Sequence, residues 1–201
     1  CINVLRDENY SPRGIFYLGS SFPKLIILGK NPGGMLLDKG EAKASVYEEQ
    51  VQWELKCFGE YEGVNFRFHI RLLQYLEFLL FSNFITYQEA KTKRKELTRK
   101  IFTIAYKTNL LKCSTPDEQE NLSTLTKEIS ICVPLYLKKE LEICNNPPVL
   151  CLGDESYDEF KRHFPNYISP SACIRHPSYP IKTHNLLSEL EQVKSNLMGG
   201  R

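Results

Sequence analysis

The chain has no long hydrophobic run. Its most apolar region, residues 72–84, is interrupted by Gln74, Glu77, Ser82 and Asn83, short of the ~18 continuous apolar residues that a membrane-spanning helix needs. No membrane partner is therefore expected. Net charge is scarce too: 26 Lys and Arg against 24 Asp and Glu leave +2, too little for the total to indicate a nucleic-acid partner. A disulfide framework is also missing. Seven cysteines, an odd number, are scattered without paired spacing. That fits free thiols of an intracellular protein, or a metal site, better than extracellular bridges. No secretory signal pattern stands at the start, which is Cys1 rather than Met. The expectation is a processed or trimmed chain with residues upstream. Without internal repeats or low-complexity linkers, residues 1–201 read as one domain and one monomer.

What is present is a series of short apolar runs ending in turn residues. Leu25-Ile26-Ile27-Leu28 runs into Gly29-Lys30-Asn31-Pro32-Gly33-Gly34. A continuous apolar run of this length fits a strand buried on both faces, as in a parallel sheet. The glycines allow a sharp turn and close approach of the backbone to a ligand. Pro32 favours an extended Asn31 and stiffens the loop. An ordinary strand-to-loop turn and a ligand-presenting loop both fit this motif. Val149-Leu150-Cys151-Leu152-Gly153 repeats the pattern.

Residues 1–23 read as an irregular lead-in, with Ile15–Leu18 a short strand or packing segment. Strands are expected at 24–28, within 101–111, at 149–152 and near 167–174. Helices are expected over 41–57, 66–81, 86–100, 124–143, 154–164 and 183–197. The 66–81 helix rests on the spacing of Phe68, Leu72, Leu73, Leu76, Leu79 and Leu80. Thr86 with Glu89 makes a capping box for the next one. Strands alternating with helices predict an α/β fold, a three-layer sandwich with a central, mostly parallel four-stranded sheet flanked by helices. Its core spans 24–180, and 181–201 forms a C-terminal helix.

Lys91, Lys93, Arg94, Lys95, Arg99, Lys100 and Lys107 form a basic block, with Lys56, Arg67 and Arg71 elsewhere. A phosphate-binding surface and a solvated helix face both explain it. Three strand ends carry a polar residue: Asn31, Asn109 and His176. In a parallel sheet such ends meet at the carboxyl edge, where ligands bind. Individually, each also reads as a turn or backbone partner.

Four segments, in order, resemble motifs of the uracil-DNA glycosylase superfamily. Gly29-Lys30-Asn31-Pro32-Gly33 is similar to its first motif, and Arg175-His176-Pro177-Ser178-Tyr179-Pro180 to its His-Pro-Ser loop. Lys107-Thr108-Asn109-Leu110-Leu111-Lys112-Cys113-Ser114-Thr115-Pro116 resembles a segment of the iron–sulfur branch. The helix with Cys132-Val133-Pro134, followed by the strand ending in Gly153, keeps that branch's order.

The resemblance implies a monofunctional DNA glycosylase that hydrolyses the N-glycosidic bond of uracil after flipping it from the stack. Another damaged or modified base is the alternative substrate, and an inactive nucleic-acid-binding member of the fold is the alternative class. The implied catalytic residues are Asn31, holding the water, and His176, hydrogen-bonding the departing base. Gly29 and Asn109 would line the base pocket, with Asn109 reading the base edge. Phe66 or Tyr61 would stack on the base. Pro177, Ser178, Tyr179 and Lys112 would contact DNA. Cys1, Cys113 and Cys132 would be ligands of a [4Fe–4S] cluster, a fourth lying upstream or absent. Where relatives carry Leu or Ala after the His-Pro core, this chain has Tyr179-Pro180. An intracellular location, cytoplasmic or nuclear, follows from the same likeness.

Overall fold

The computed structural model of the chain describes residues 16–30, 47–60, 66–111, 126–179 and 183–198. Its centre is an all-parallel sheet of four strands in the order β2-β1-β3-β4. These are β1 (Leu25–Gly29), β2 (Ala105–Asn109), β3 (Val149–Leu152) and β4 (Ser171–Ile174). Leu25–Leu28 and all of β3 are buried, as continuous apolar runs covered on both faces must be. The α/β fold expected from the alternation is the one observed.

Helices cover both faces. On one side lie α1 (Tyr47–Gly59), α2 (Phe66–Phe81), α3 (Tyr87–Thr92), α4 (Arg94–Phe102) and α8 (Thr183–Met198). Leu72, Leu73 and Leu76 of α2 are completely buried there, alongside Ile27, Leu150 and Leu190. Each such side chain contributes about 1.5–3 kcal/mol. On the other side, a rod made of α5 (Thr126–Cys132), a π-helical turn (Val133–Leu137) and α6 (Lys138–Ile143) packs with α7 (Asp154–His163). The π turn falls at Pro134, which has no N–H to donate to the usual ladder. No described helix is long and apolar enough to cross a membrane.

One expectation is corrected. The basic helix expected over 86–100 is two helices, breaking at Lys93, whose backbone (φ −95°, ψ 9°) is not helical. Its capping box is present: Glu89 N–H donates to Thr86 Oγ1 at 3.1 Å, and Thr86 N–H donates to Glu89 Oε2 at 2.7 Å. The strand expected within 101–111 occupies Ala105–Asn109, and Ile101 and Phe102 before it end α4 and are buried. The segment at Ile15–Leu18 contributes one antiparallel bridge, Phe16 to Lys107.

Candidate active site

Parallel pairing puts every strand's carboxyl end on one edge. Asn109 ends β2 directly opposite Gly29, which ends β1. Beyond the strands the pairing continues, with Leu110 N–H donating to Gly29 O at 2.9 Å and Leu111 N–H to Lys30 O at 3.1 Å. Asn109 is buried, and its Oδ1 lies so close over Gly29 that any Cβ there would collide with it. A side chain at the first glycine of the motif would thus displace the amide next door. Asn31, two residues further on, lies outside the described residues, as do Tyr61, Lys112, Cys1 and Cys113.

At the other end of the edge, β4 leads through Arg175 into His176. Tyr179 N–H donates to His176 O at 3.0 Å, closing a turn with Pro177 in its second position, where a fixed φ is favoured. Pro177 is buried, while Ser178 and Tyr179 are exposed. Inside this turn Ser178 N–H points at His176 Nδ1 at 3.4 Å. With Nδ1 accepting, the proton of the neutral ring sits on Nε2, leaving that atom as a donor. Burial, then the nearby Lys30 ammonium, hold the imidazole below its ordinary pKa. Lys30 is itself paired with Glu155, at the start of α7, at 3.3 Å. Arg175 N–H donates to Glu189 on α8 at 3.1 Å and anchors the loop from below.

His176 leans back over β3 rather than standing above β4. A Cβ on Gly153 would lie 3.6 Å from His176 Cβ, and Gly153 has φ +89°, a conformation that L side chains adopt with strain. Gly153 N–H donates to Ile174 O at 2.8 Å, so the strand turns into α7 while still held to β4. Two glycines thus stand at this edge, Gly29 closing β1 and Gly153 just past the end of β3. Asn109 Oδ1 lies over the first, and the His176 Cβ lies beside the second.

The aromatic neighbour at this edge is one that the motif resemblance did not select. Phe68 stacks on His176, with ring centroids 5.2 Å apart and planes 30° apart. Tyr179 meets His176 edge-on at 6.2 Å and is 62 % exposed. Phe66, the candidate stacking residue, points elsewhere: Lys91 Nζ lies 5.3 Å and Arg94 Cζ 5.2 Å from its centroid. Two residues along a helix turn the side chain by about 200°, so Phe66 and Phe68 occupy opposite faces of α2. Phe68 was visible in the sequence only as a core position of the helical period; Gly153, likewise, was visible only as a glycine closing a strand. A groove between β4 and α8 is lined in part by Cys173, Glu189 and Gln192.

The cysteines divide. Cys57, Cys144, Cys151 and Cys173 are not disulfide-bonded. Burial pushes the thiols up, to about 11 for Cys144 and about 12 for Cys173, while Cys151 is packed inside β3 and raised further. None of these three is poised as a thiolate at neutral pH. Cys132, buried at the end of α5, is disulfide-bonded, against the expectation of free thiols. Such a bond needs Cα atoms within about 7 Å, a proximity that sequence spacing does not display. Among the described residues Cys132 is the one implied cluster ligand; Cys1 and Cys113 lie outside them.

No protein-family model matches the chain, and no curated protein matches it in sequence.

Proposed function

We propose that this protein is a monofunctional DNA glycosylase that hydrolyses the N-glycosidic bond of uracil in DNA. The observation that carries the reading is the placement of a buried amide, Asn109, and an imidazole whose Nδ1 is turned to a backbone N–H, His176, at the carboxyl ends of strands of one parallel sheet. In the reaction, the bond between the sugar carbon and the base nitrogen breaks with both electrons leaving on the base. Water then adds to the sugar carbon and loses a proton. The barrier falls if the anion forming on the base is met by a donor already in place. His176 Nε2–H provides that donor at a base carbonyl, and Phe68 and the Ser178 N–H fix the ring's plane and tautomer. Asn109 can donate to one base atom and accept from its neighbour. That pairing matches a carbonyl beside a ring N–H, as in uracil, and mismatches the reversed pattern of cytosine. Asn31 takes the role of holding the water. The base reaches this edge only after flipping from the stack.

Excision of another base is a second reading, favoured by the large exposed Tyr179 beside His176. One assay addresses both. Duplex and single-stranded oligonucleotides carrying U, T, hypoxanthine or a modified pyrimidine are incubated with the protein, and abasic sites are revealed by strand scission with alkali. Scission at U above the other bases is expected. Faster scission at another base would transfer the activity to that base, and no scission at any would overturn the enzyme reading.

A further inference from the structure

Cations that the base pocket does not use gather at the junction of α3 and α4. Lys91, Lys93, Arg94 and Lys95 fall within five consecutive positions there. Lys93 and Lys95 are exposed, and Lys91 and Arg94 half-buried. Two acidic groups are engaged at this place, and each has another task. Glu60 pairs with Lys95 at 3.0 Å, and Glu89 caps α3 through Thr86. Glu96, in the first turn of α4, is exposed. The junction keeps a net positive charge. Lys91 and Arg94 are further held by the ring of Phe66, a contact that favours a cation at a fixed position.

The fold sets this junction level with the candidate pocket. α4 runs down to the amino end of β2, where Ile104 O accepts from Lys24 N–H at 2.7 Å just before β1 begins. With nine residues, α4 is about 13 Å long, close to the height of the sheet. Its first residue, Arg94, therefore stands at the carboxyl edge, where it donates to Glu60 O at 2.9 Å. α2, whose Phe68 touches His176, lies between α4 and α8. The cations thus flank the pocket on the Asn109 side, one helix away from His176.

We propose that the α3–α4 junction, through Lys91, Lys93 and Arg94, grips phosphodiesters of the strand that carries the flipped nucleotide. The proposal rests on the glycosylase reading. Extruding a base costs a few kcal/mol, and phosphate contacts beside the pocket hold the strand in position without reading its sequence. A rigid pair of cations over Phe66, beside a third on the exposed turn, supplies such contacts.

The test is the salt dependence of binding, measured by fluorescence anisotropy with a labelled uracil-containing duplex. Wild type is compared with Lys91→Gln/Lys93→Gln and with Lys91→Arg/Lys93→Arg. A Lys161→Gln control removes a charge from α7 near the amino edge. The Gln double variant is expected to flatten the slope of log affinity against log salt by about 2 and to lower affinity at least about tenfold at low salt. The Arg pair is expected to keep the wild-type slope, and Lys161→Gln to change it by less than about 0.5. Single-turnover base release at saturating DNA should stay within about twofold of wild type, with melting temperatures checked alongside. An unchanged slope in the Gln double variant, or an equal change per charge in Lys161→Gln, overturns the inference while base release leaves the function standing. A wild-type protein that neither binds nor cleaves overturns both.

Discussion

Phe68 separates two histidines with opposite prospects. On one side is His176, stacked at 5.2 Å; on the other is His69, edge-on at 5.4 Å. Burial lowers the pKa of both. At His176 the lowering goes with a backbone N–H that fixes the tautomer and a turn that leaves Nε2 at the carboxyl edge. At His69 it goes with enclosure. Phe58 covers the ring at 4.5 Å, and its buried Nδ1 has no hydrogen-bond partner among the described residues. Beside it lies the partly buried pair of Lys107 and Glu54, 2.9 Å apart, whose charges pull its pKa in opposite directions. A depressed histidine is thus not by itself a sign of chemistry. Access and a specified proton distinguish the catalytic candidate from the packed one.

The sharpest way to break this contrast is to exchange the two losses. His176→Ala should slow single-turnover base release by about 10²–10³, the cost of removing one preorganised donor, while duplex affinity changes little. His69→Phe should keep release within a few-fold of wild type. Equal losses in the two variants would dissolve the distinction.

Acid stability separates them in the other direction. His69 is held at about 4 against an ordinary 6.5. As pH falls below 6.5 the unfolded chain takes up the proton first, so stability present above that value is lost progressively down to about 4. The loss from this group is about 3 kcal/mol. Urea unfolding at stepped pH should show a shallower acid decline in His69→Phe than in wild type. Parallel declines would remove His69 from the account.

The smallest effect belongs to the glycine beside His176. Gly153→Ala places a Cβ at φ +89°, 3.6 Å from His176 Cβ, and should cost about 1–2 kcal/mol of stability. A reduced rate of base release should accompany that loss, as the Ala methyl crowds the imidazole. A stability loss with an unchanged rate would show that the glycine serves only the turn into α7.

Much of the frame was legible from local pattern. Periodic leucines marked α2 to its observed ends, Thr86 and Glu89 marked the start of α3, and apolar runs ending in glycine marked β1 and β3. The strand ends at Asn109 and His176 were legible as polar residues at the close of strand-like segments. The less legible places were those where distant packing decided. Ile101 and Phe102 are apolar enough for either element, and they close a helix against the core. Lys107 sits in the fully buried β2 because Glu54, 53 positions away, meets its charge.

The sequence by itself determined the alternation of strands and helices, and placed Asn31, Asn109 and His176 at the ends of strand-like segments. It did so because helical period, apolar runs and capping act between residues a few positions apart. Only the tertiary structure decided that Phe68, not Phe66, meets His176, that Gly153 makes room for it, and that one histidine of two keeps a proton at the edge. Those outcomes depend on which faces of α2, β3 and β4 are brought together, and such contacts join residues that nothing along the chain connects.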